Sequence, residues 1–322
     1  MVRDIDCIVC GSCTVDVIVR PFPVDKPIGA GTLIRVDPIQ ATTGGIVSNA
    51  GMALSRLGMR SAALTYVGND QWASIVQGKY QSEGIDTSRL IPHPTAPTSA
   101  TVVLVDSNGE RSFAHSQGAP KQIDRQFFED NLDLFVRSRM LLLGYYSLMP
   151  NVEDDLPEIL AEIRARGCQT ALDAAGDGGG LQPLDKMLPH LDVYVPSFAE
   201  ASHQTGQTDP KRILQTFRDC GAAGLVGVKL GSQGALLSCP SGQSIRIDAI
   251  SPPGPVIDTT GAGDAFYAGL LCGLLRGLPA EQAGRLAAAT GACCVTGVGA
   301  SAALRDFDQT ARLAGLVDPP RL

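Results

Sequence analysis

The residues with the clearest potential for chemistry stand at the start of a long apolar run. The stretch VIDTTGAGDAFYAGLLCGLL (256–275) places Gly261, Ala262 and Gly263 directly before Asp264. The residues after Asp264 are apolar on every side and too many for a strand, which predicts a buried helix. Its first turn would present unpaired N–H groups at the positive end of the helix dipole, where a phosphoryl group can bind. Asp264 could then remove a proton or merely cap the helix, and the local residues leave both interpretations open.

Composition and charge limit the class of protein. The 322 residues suffice for one large α/β domain or two smaller ones. The formal net charge of −7 argues against a nucleic-acid partner or an acidic membrane surface, although it leaves room for a small anionic ligand. The N-terminal residues lack the apolar core of a signal peptide, and the longest apolar run carries Asp264. We therefore predict a cytoplasmic protein with no membrane or nucleic-acid partner.

Nine cysteines, an odd number, fit a reducing compartment better than a disulfide framework. Cys7, Cys10 and Cys13 have the even spacing of an iron–sulfur or zinc run, but IDCIVC (5–10) has the apolar, β-branched character of a buried strand. Such a strand points Cys7 and Cys10 to opposite faces, which disfavours a shared metal ion.

Strand-like and helix-like stretches alternate along most of the chain. The clearest helix, within 151–167, has acidic residues in its first turn, arginines in its last turn and one apolar stripe formed by Leu156, Ile159, Leu160 and Ile163. Continuously apolar strands that alternate with helices predict an α/β fold with a mostly parallel sheet covered on both faces. The predicted strands are IDCIVC (5–10), AALTYVG (62–68), RMLLLG (139–144), CQTALD (168–173), LDVYVP (191–196) and GLVGVKLG (224–231).

Two segments interrupt this alternation. Residues 14 to about 41 have β-type alternation with proline and glycine, and residues 98–117 have the pattern of a hairpin that reverses at Asn108-Gly109. Together they predict a small β-layer over one edge of the main sheet, which could act as a lid.

Two long motifs resemble the signatures of the PfkB carbohydrate kinases, a ribokinase-like family. The first is DTTGAGDAF (258–266), and the second is TTGGIVSNAGMALSRLG (42–58), in which a glycine pair precedes Asn49. GSCTVDVIVR (11–20) and VKLGSQGA (228–235) match further family segments, and all four matches follow the family order along nearly the whole chain. The resemblance implies a three-layer ribokinase-like fold in a single domain over residues 1–322, with the small β-sheet lid inserted into it.

The resemblance also implies an ATP-dependent kinase that acts on a sugar or sugar-like molecule. Asp264 would be the general base for the acceptor hydroxyl, and the amides of residues 261–264 would form an anion hole for the transferred phosphoryl group. Mg²⁺ would bridge the ATP phosphates. The chain contains no GxxxxGK[ST] motif, so a P-loop enzyme is excluded.

Further residues match family positions, and their roles are implied by the resemblance. The acceptor would contact Asp16, Gly44, Gly45, Asn49 and Tyr145. The nucleotide would contact Lys229, Gly231, Gly234 and Ser197, and Glu200 would act on Mg²⁺ indirectly. Asp258, Thr260 and the backbone carbonyls around Cys294, Gly297 and Gly299 would form a site for K⁺.

Two departures from the family pattern bear on substrate and activity. Ser197 in PSFAE (196–200) replaces the asparagine of the family's Asn-x-x-Glu, and Tyr145 follows a strand after which ribose-type members carry an acid. Tyr145 therefore weakens the prediction of ribose as the acceptor. A nucleoside kinase of the same fold and a non-catalytic nucleotide- or sugar-binding relative are the alternatives. A dinucleotide-dependent oxidoreductase is disfavoured because no G-x-G-x-x-G turn follows the first strand. Family analogy further predicts a homodimer through the lid.

Overall fold

The computed structural model describes residues 3–24, 29, 31–176 and 178–317, and in this part of the chain the strands form two separate sheets. The strands are β1 (Ile5–Gly11), β2 (Thr14–Val19), β3 (Gln40–Gly44), β4 (Ser61–Val67), β5 (Asp86–Pro92), β6 (Ala100–Val105), β7 (Arg111–Ser116), β8 (Ser138–Gly144), β9 (Gln169–Asp173), β10 (Val193–Tyr194), β11 (Leu225–Lys229), β12 (Ala235–Ser238) and β13 (Ser244–Ile247). The helices are α1 (Ile46–Arg56), α2 (Gln71–Ser82), α3 (Arg125–Glu129), α4 (Leu132–Val136), α5 (Leu156–Ala165), α6 (Leu181–Met187), α7 (Phe198–Thr205), α8 (Pro210–Asp219), α9 (Ala262–Leu275), α10 (Ala280–Cys294) and α11 (Phe307–Leu313).

The large sheet has the strand order β13-β12-β11-β10-β9-β8-β1-β4-β5. Its neighbouring strands are parallel except where β12 pairs with β11 and β13. Helices α1, α2 and α9–α11 contribute to the core on one face, and α3–α8 contribute to the core on the other. The fully buried β1 shows the two faces directly, because Cys7 packs into the first core and Cys10 into the second. The predicted three-layer α/β fold with a mostly parallel sheet is confirmed.

The local elements follow their sequence patterns with two differences. Helix α5 buries its predicted apolar stripe completely, as a period of 3.6 residues requires. Helix α1 begins at Ile46, before the helix-like sequence SNAGMALSRLG (48–58), because Gly45 takes φ 81° and serves as its N-cap. Strand β10 contains only two residues of the apolar stretch 191–196. Within the described residues no helix is long and apolar enough to cross a bilayer.

The small sheet has the strand order β3-β2-β6-β7 and combines the two segments that interrupt the alternation. Strand β3 extends to Gly44, beyond the predicted limit of about residue 41, while residues 25–28 and 30 of the first segment lie outside the described residues. Strands β6 and β7 pair antiparallel as the predicted hairpin. Its turn spans Asp106 to Glu110, and the Asp106 carboxylate accepts hydrogen bonds from two backbone amides of the turn. Whether this sheet moves as a lid stays a prediction.

Candidate active site

The side chains with chemical potential gather where several parallel strands end. Tyr145 follows β8, Asp173 ends β9 and Lys229 ends β11. Helix α9 is fastened to the same edge, since the Tyr267 hydroxyl donates to the carbonyl of Leu172 at 2.7 Å and that of Val193 at 3.1 Å. The carboxyl edge of an open parallel sheet is where ligands of such folds bind.

Asp264 is buried at the start of α9 and is held by side chains from distant parts of the chain. Its Oδ2 accepts a hydrogen bond from Asn49 Nδ2 at 2.8 Å and from the Tyr145 hydroxyl at 2.9 Å. Burial raises the pKa of the Asp264 carboxyl, while the Asn49 hydrogen bond and the Lys229 ammonium partly oppose that rise. Within the described residues, the side-chain hydrogen bonds of Asp264 thus connect it to α1 and to the segment after β8. A residue that only caps its own helix does not need such contacts.

Tyr145 is fixed by an uncommon backbone conformation. It has φ 60° and ψ 41°, and it is the one non-glycine residue with positive φ in the described ranges. Its amide donates to the Asp173 carbonyl at 2.9 Å, and its own carbonyl accepts from Leu148 at 2.9 Å. Burial, together with the nearby Asp264 carboxylate, raises the pKa of the Tyr145 phenol well above 10. The phenol therefore keeps its proton and acts as a donor to Asp264.

Asn49 has an acceptor atom that no side chain or backbone group of the described residues satisfies. Its Nδ2 faces Asp264 because an ionised carboxylate only accepts hydrogen bonds, so its Oδ1 points away and has no partner. The residue is only 6% exposed, and a buried acceptor without a donor is costly. A ligand hydroxyl group would supply the missing donor.

Asp16 and the glycine pair lie at the junction of the small sheet with α1. A Cβ atom on Gly44 would overlap the Asp16 carboxylate, and a Cβ atom on Gly45 would come within 2.5 Å of the Ser12 carbonyl oxygen. Burial raises the pKa of the Asp16 carboxyl, although the Thr101 hydroxyl opposes the rise. Gly44 is therefore needed for the close approach of the backbone to the Asp16 carboxylate, and Gly45 for its approach to the Ser12 backbone.

Lys229 and Asp173 form a buried ion pair next to Asp264. The Lys229 ammonium lies 3.2 Å from Asp173 Oδ1, and the two side chains are 12% and 3% exposed. Burial raises the pKa of Asp173 to about 7 against the pull of Lys229, and the Asp264 and Glu200 carboxylates add to the rise. Sequence reasoning missed Asp173, although an aspartate that ends a buried strand was a usable signal.

This pair predicts a stability that depends on pH. A carboxyl with a raised pKa binds its proton more tightly in the folded chain than in the unfolded chain, so stability falls as pH rises towards about 7. Relative to Asp173→Asn, the wild-type free energy of unfolding should therefore decrease by about 2–3 kcal/mol from pH 5 to pH 8. Urea titrations at both pH values measure the difference. The exposed Asp308→Asn is the control, and equal pH dependence of wild type and Asp173→Asn would contradict the prediction.

A cavity of about 520 Å³ opens on the other side of the start of α9. Its walls include the predicted nucleotide residues Lys229, Gly231 and Gly234, with Ala262 and Gly263 from the predicted anion hole. Sequence reasoning missed the apolar walls, which are Ile250, Pro252, Val256, Phe266, Ala288, Ala292 and Val295. A cavity of this size with mostly apolar walls and a few polar groups suits a small ligand such as a nucleotide.

Ser197 is not among the residues that line this cavity. It caps helix α7 instead, because its hydroxyl accepts from the Glu200 amide at 3.3 Å while Glu200 Oε2 accepts from the Ser197 amide at 2.7 Å. The same segment pairs with β11, where the Lys229 amide donates to the Pro196 carbonyl at 2.8 Å. The capping box fixes Glu200 beside the Lys229 and Asp173 pair.

The loop before α9 gives the helix its N-terminus. Gly261 takes φ 74° as the N-cap residue, and a Cβ atom there would overlap the Ala300 side chain. A Cβ atom on Gly263 would lie 3.4 Å from the Lys229 ammonium, so this cation stands next to the predicted anion hole. One amide of that hole is engaged within the chain, since Ala262 N donates to the Thr259 carbonyl at 3.3 Å.

The residues predicted to bind K⁺ surround the same loop. The Asp258 carboxylate accepts from the Thr260 amide at 3.0 Å and from the Gly299 amide at 2.7 Å. The Cys294 thiol donates to the Thr260 carbonyl at 3.5 Å, and the Cys294 carbonyl accepts from the Gly297 amide at 3.3 Å.

Arg111 of β7 reaches into this set of residues. Its guanidinium lies 2.8 Å from Asp258 Oδ2 and donates to the Thr260 hydroxyl at 2.9 Å. Nothing in the sequence pattern of the hairpin indicated this contact.

Comparison with known proteins gives consistent results over most of the chain. The family model for the pfkB family carbohydrate kinase matches residues 4–306. An uncharacterized sugar kinase from Archaeoglobus fulgidus is 28% identical over 253 residues, which are 77% of this chain and 96% of the relative. A ribokinase from Arabidopsis thaliana is 26% identical over 316 residues, which are 95% of this chain and 80% of the relative. The solved structure of Arabidopsis thaliana ribokinase with ribose and ATP has a TM-score of 0.80 at 24% identity and covers 98% of this chain and 100% of its own.

Proposed function

The chain belongs to the pfkB family of carbohydrate kinases, as its sequence motifs predict, and we propose that it transfers the γ-phosphoryl group of ATP to a hydroxyl group of a sugar-like molecule. One observation carries the proposal. The buried Asp264 carboxylate, held by Asn49 and Tyr145, lies at a helix N-terminus whose other side faces a cavity of nucleotide size. A base, an anion-binding turn and a nucleotide cavity are the parts that phosphoryl transfer to an alcohol needs.

In this proposal Asp264 takes the proton of the acceptor hydroxyl as its oxygen attacks the γ-phosphorus. The new O–P bond forms while the bond between the γ-phosphorus and the bridging oxygen breaks, and ADP leaves. The Gly263 amide and the neighbouring Lys229 ammonium would stabilise negative charge on the moving group. Asn49 Oδ1, which lacks a donor, would accept a hydrogen bond from the acceptor and orient it.

Mg²⁺ would neutralise part of the phosphate charge. The described residues include no group of three or more His, Cys, Asp and Glu side chains that could hold a metal ion. The ion would therefore depend on phosphate oxygens, and Glu200, fixed by its capping box, would reach it through water.

The acceptor is proposed to be a neutral polyhydroxyl compound. Asp16, Asn49 and Tyr145 provide hydrogen-bonding groups of the kinds that sugar hydroxyls match. The Thr101 hydroxyl lies 2.9 Å from Nδ1 of His115, and both residues belong to the small sheet next to Asp16.

A screen of sugars, sugar acids and nucleosides for acceptor-dependent ADP release tests the proposed activity. We expect turnover with at least one sugar-like compound, and turnover by Asp264→Asn that is lower by about 10³-fold or more under the same conditions. ADP release that no compound stimulates would contradict the kinase proposal. Stimulation by nucleosides alone would contradict the proposed acceptor class and leave the chemistry standing.

Tyr145→Phe is expected to change the pH dependence of turnover. Loss of the phenol hydrogen bond removes a group that lowers the pKa of Asp264, so the acidic limb of kcat/KM should move to higher pH. A profile from pH 5 to pH 9 measures the shift. Tyr146→Phe is the matched control, because its hydroxyl donates to the Gly178 carbonyl at 2.8 Å. An unchanged profile in Tyr145→Phe would show that the phenol does not act on the base.

A further inference from the structure

Arg111 connects the small sheet to the loop that carries the proposed anion hole. It is the first residue of β7, at the base of the hairpin turn, and its guanidinium contacts the Asp258 carboxylate and the Thr260 hydroxyl. The Asp258 side chain is only 4% exposed, whereas that of Arg111 is 30% exposed. A carboxylate removed from water in this way needs a cationic partner.

The Arg111 contact uses the two side chains that the family resemblance assigns to K⁺. Asp258 Oδ2 accepts from Gly299 N and lies 2.8 Å from the guanidinium, while Oδ1 accepts from Thr260 N. The carboxylate charge is thus already balanced, and a monovalent cation would have to displace the guanidinium. These side chains as arranged do not fit K⁺.

The loop held in this way is the one that shapes the start of α9. The Asp258 carboxylate joins the segment before the helix to Gly299, and Gly261 packs against Ala300 beside it. The Cys294 thiol lies within hydrogen-bonding distance of the Thr260 carbonyl, at 3.5 Å, and of the Ala300 carbonyl, at 3.2 Å. It therefore also connects the loop before α9 with the loop that contains Gly299 and Ala300. The contacts that fix Asp258 therefore also fix the positions of Gly261 and of the amides that follow it.

We propose that Arg111 supplies, from the small sheet, the positive charge at the position that the resemblance assigns to K⁺. The catalytic consequence of this contact rests on the proposed kinase function. Arg111 is a positioning residue, because it acts on the anion hole through Asp258 and Thr260. A consequence is that the loop before α9 is ordered when the small sheet lies against it, with no monovalent cation required. Closure of the sheet over an acceptor and completion of the anion hole then become one event.

Amide hydrogen exchange and thermal unfolding of the whole protein test this without turnover. Each variant is measured in 100 mM KCl and in 100 mM choline chloride, concentrations chosen at about physiological ionic strength. Wild type should give the same Tm and the same exchange of residues 258–264 in both salts. In Arg111→Met these amides, together with those of 104–112, should exchange about tenfold faster in choline chloride, as expected when one partner of a largely buried ion pair is lost. K⁺ should restore much of the protection of 258–264 and leave 104–112 fast.

Two further variants make the result specific. Arg111→Lys keeps one cation but not the two-point contact, so it should fall between wild type and Arg111→Met. Arg89→Met breaks an ion pair with Asp133 in which the arginine is similarly exposed, 31%, and should leave 258–264 unchanged in both salts.

Three outcomes would overturn the proposal. The first is that K⁺ slows the amide exchange of residues 258–264 in the wild type as much as it does in Arg111→Met. A second is unchanged exchange in Arg111→Met, and a third is faster exchange that K⁺ does not reverse. A failure of the kinase proposal would appear separately, as absence of acceptor-dependent ADP release in the wild type.

Discussion

Asp264→Asn is expected to reduce kcat by about 10³-fold or more, because removal of a positioned general base costs about 10²–10⁴-fold and the acceptor here also loses its charged partner. The affinity for ATP should remain within a factor of about three, since the proposed nucleotide cavity is lined by other residues. Calorimetric titration with a non-hydrolysable ATP analogue and steady-state kinetics with the best acceptor measure the two quantities.

The same variant should fold normally, which separates loss of chemistry from loss of structure. An asparagine has nearly the same shape, and its Oδ1 can accept the hydrogen bonds now donated by Asn49 and Tyr145. Asp264 is 5% exposed, so replacing its carboxylate also removes the cost of burying a charge. We therefore expect a Tm equal to or above that of the wild type. A loss of turnover of less than about tenfold is no larger than the loss of one hydrogen bond would cause. Such a small loss would refute Asp264 as the base.

Local sequence patterns predicted the elements but not the contacts that join them. The buried stripe of α5 and the buried helix α9 follow from periodicity, because each depends only on residues within one helix. The contact between Asn49 and Asp264 joins residues 215 positions apart, and no local pattern encodes it. Only the paired family signatures indicated that these two residues share one site.

The parts of the candidate site that were missed depend on tertiary structure. Asp173 becomes significant because strand order brings β9 and β11 to the same edge, where it meets Lys229. Arg111 appeared in the sequence as one polar residue of a hairpin, and its role follows from how the small sheet lies on the loop before α9. The Ser197 hydroxyl accepts from the Glu200 amide as a helix cap, and its contact with a nucleotide stays a prediction. In each case the residue type was visible and its partner was not.

Gly261→Ala is expected to have the second large effect, on both stability and turnover. The residue has φ 74°, a conformation that costs a non-glycine residue about 1–2 kcal/mol. An added Cβ atom would also overlap the Ala300 side chain and lie 2.9 Å from its Cα atom, and such overpacking costs about 1–3 kcal/mol. The loop can relieve the clash only by moving the amides that follow Gly261. We therefore expect a loss of about 2–5 kcal/mol in the free energy of unfolding and at least about a 10²-fold loss of kcat.

Gly299→Ala separates the two causes, since Gly299, in the neighbouring loop after α10, has φ 76° but an added Cβ atom would meet no atom within 4 Å. This control should lose only about 1–2 kcal/mol from its backbone conformation and keep most of its turnover. Combining Gly261→Ala with Ala300→Gly removes the atom that clashes most and should recover part of both losses, a coupling that a double-mutant cycle measures. If Gly261→Ala behaved like Gly299→Ala, contact with Ala300 would have no part in shaping the anion hole. Recovery of kcat in the double variant would instead tie turnover to the position of these amides, because the alanine at 261 and its strained backbone are still present.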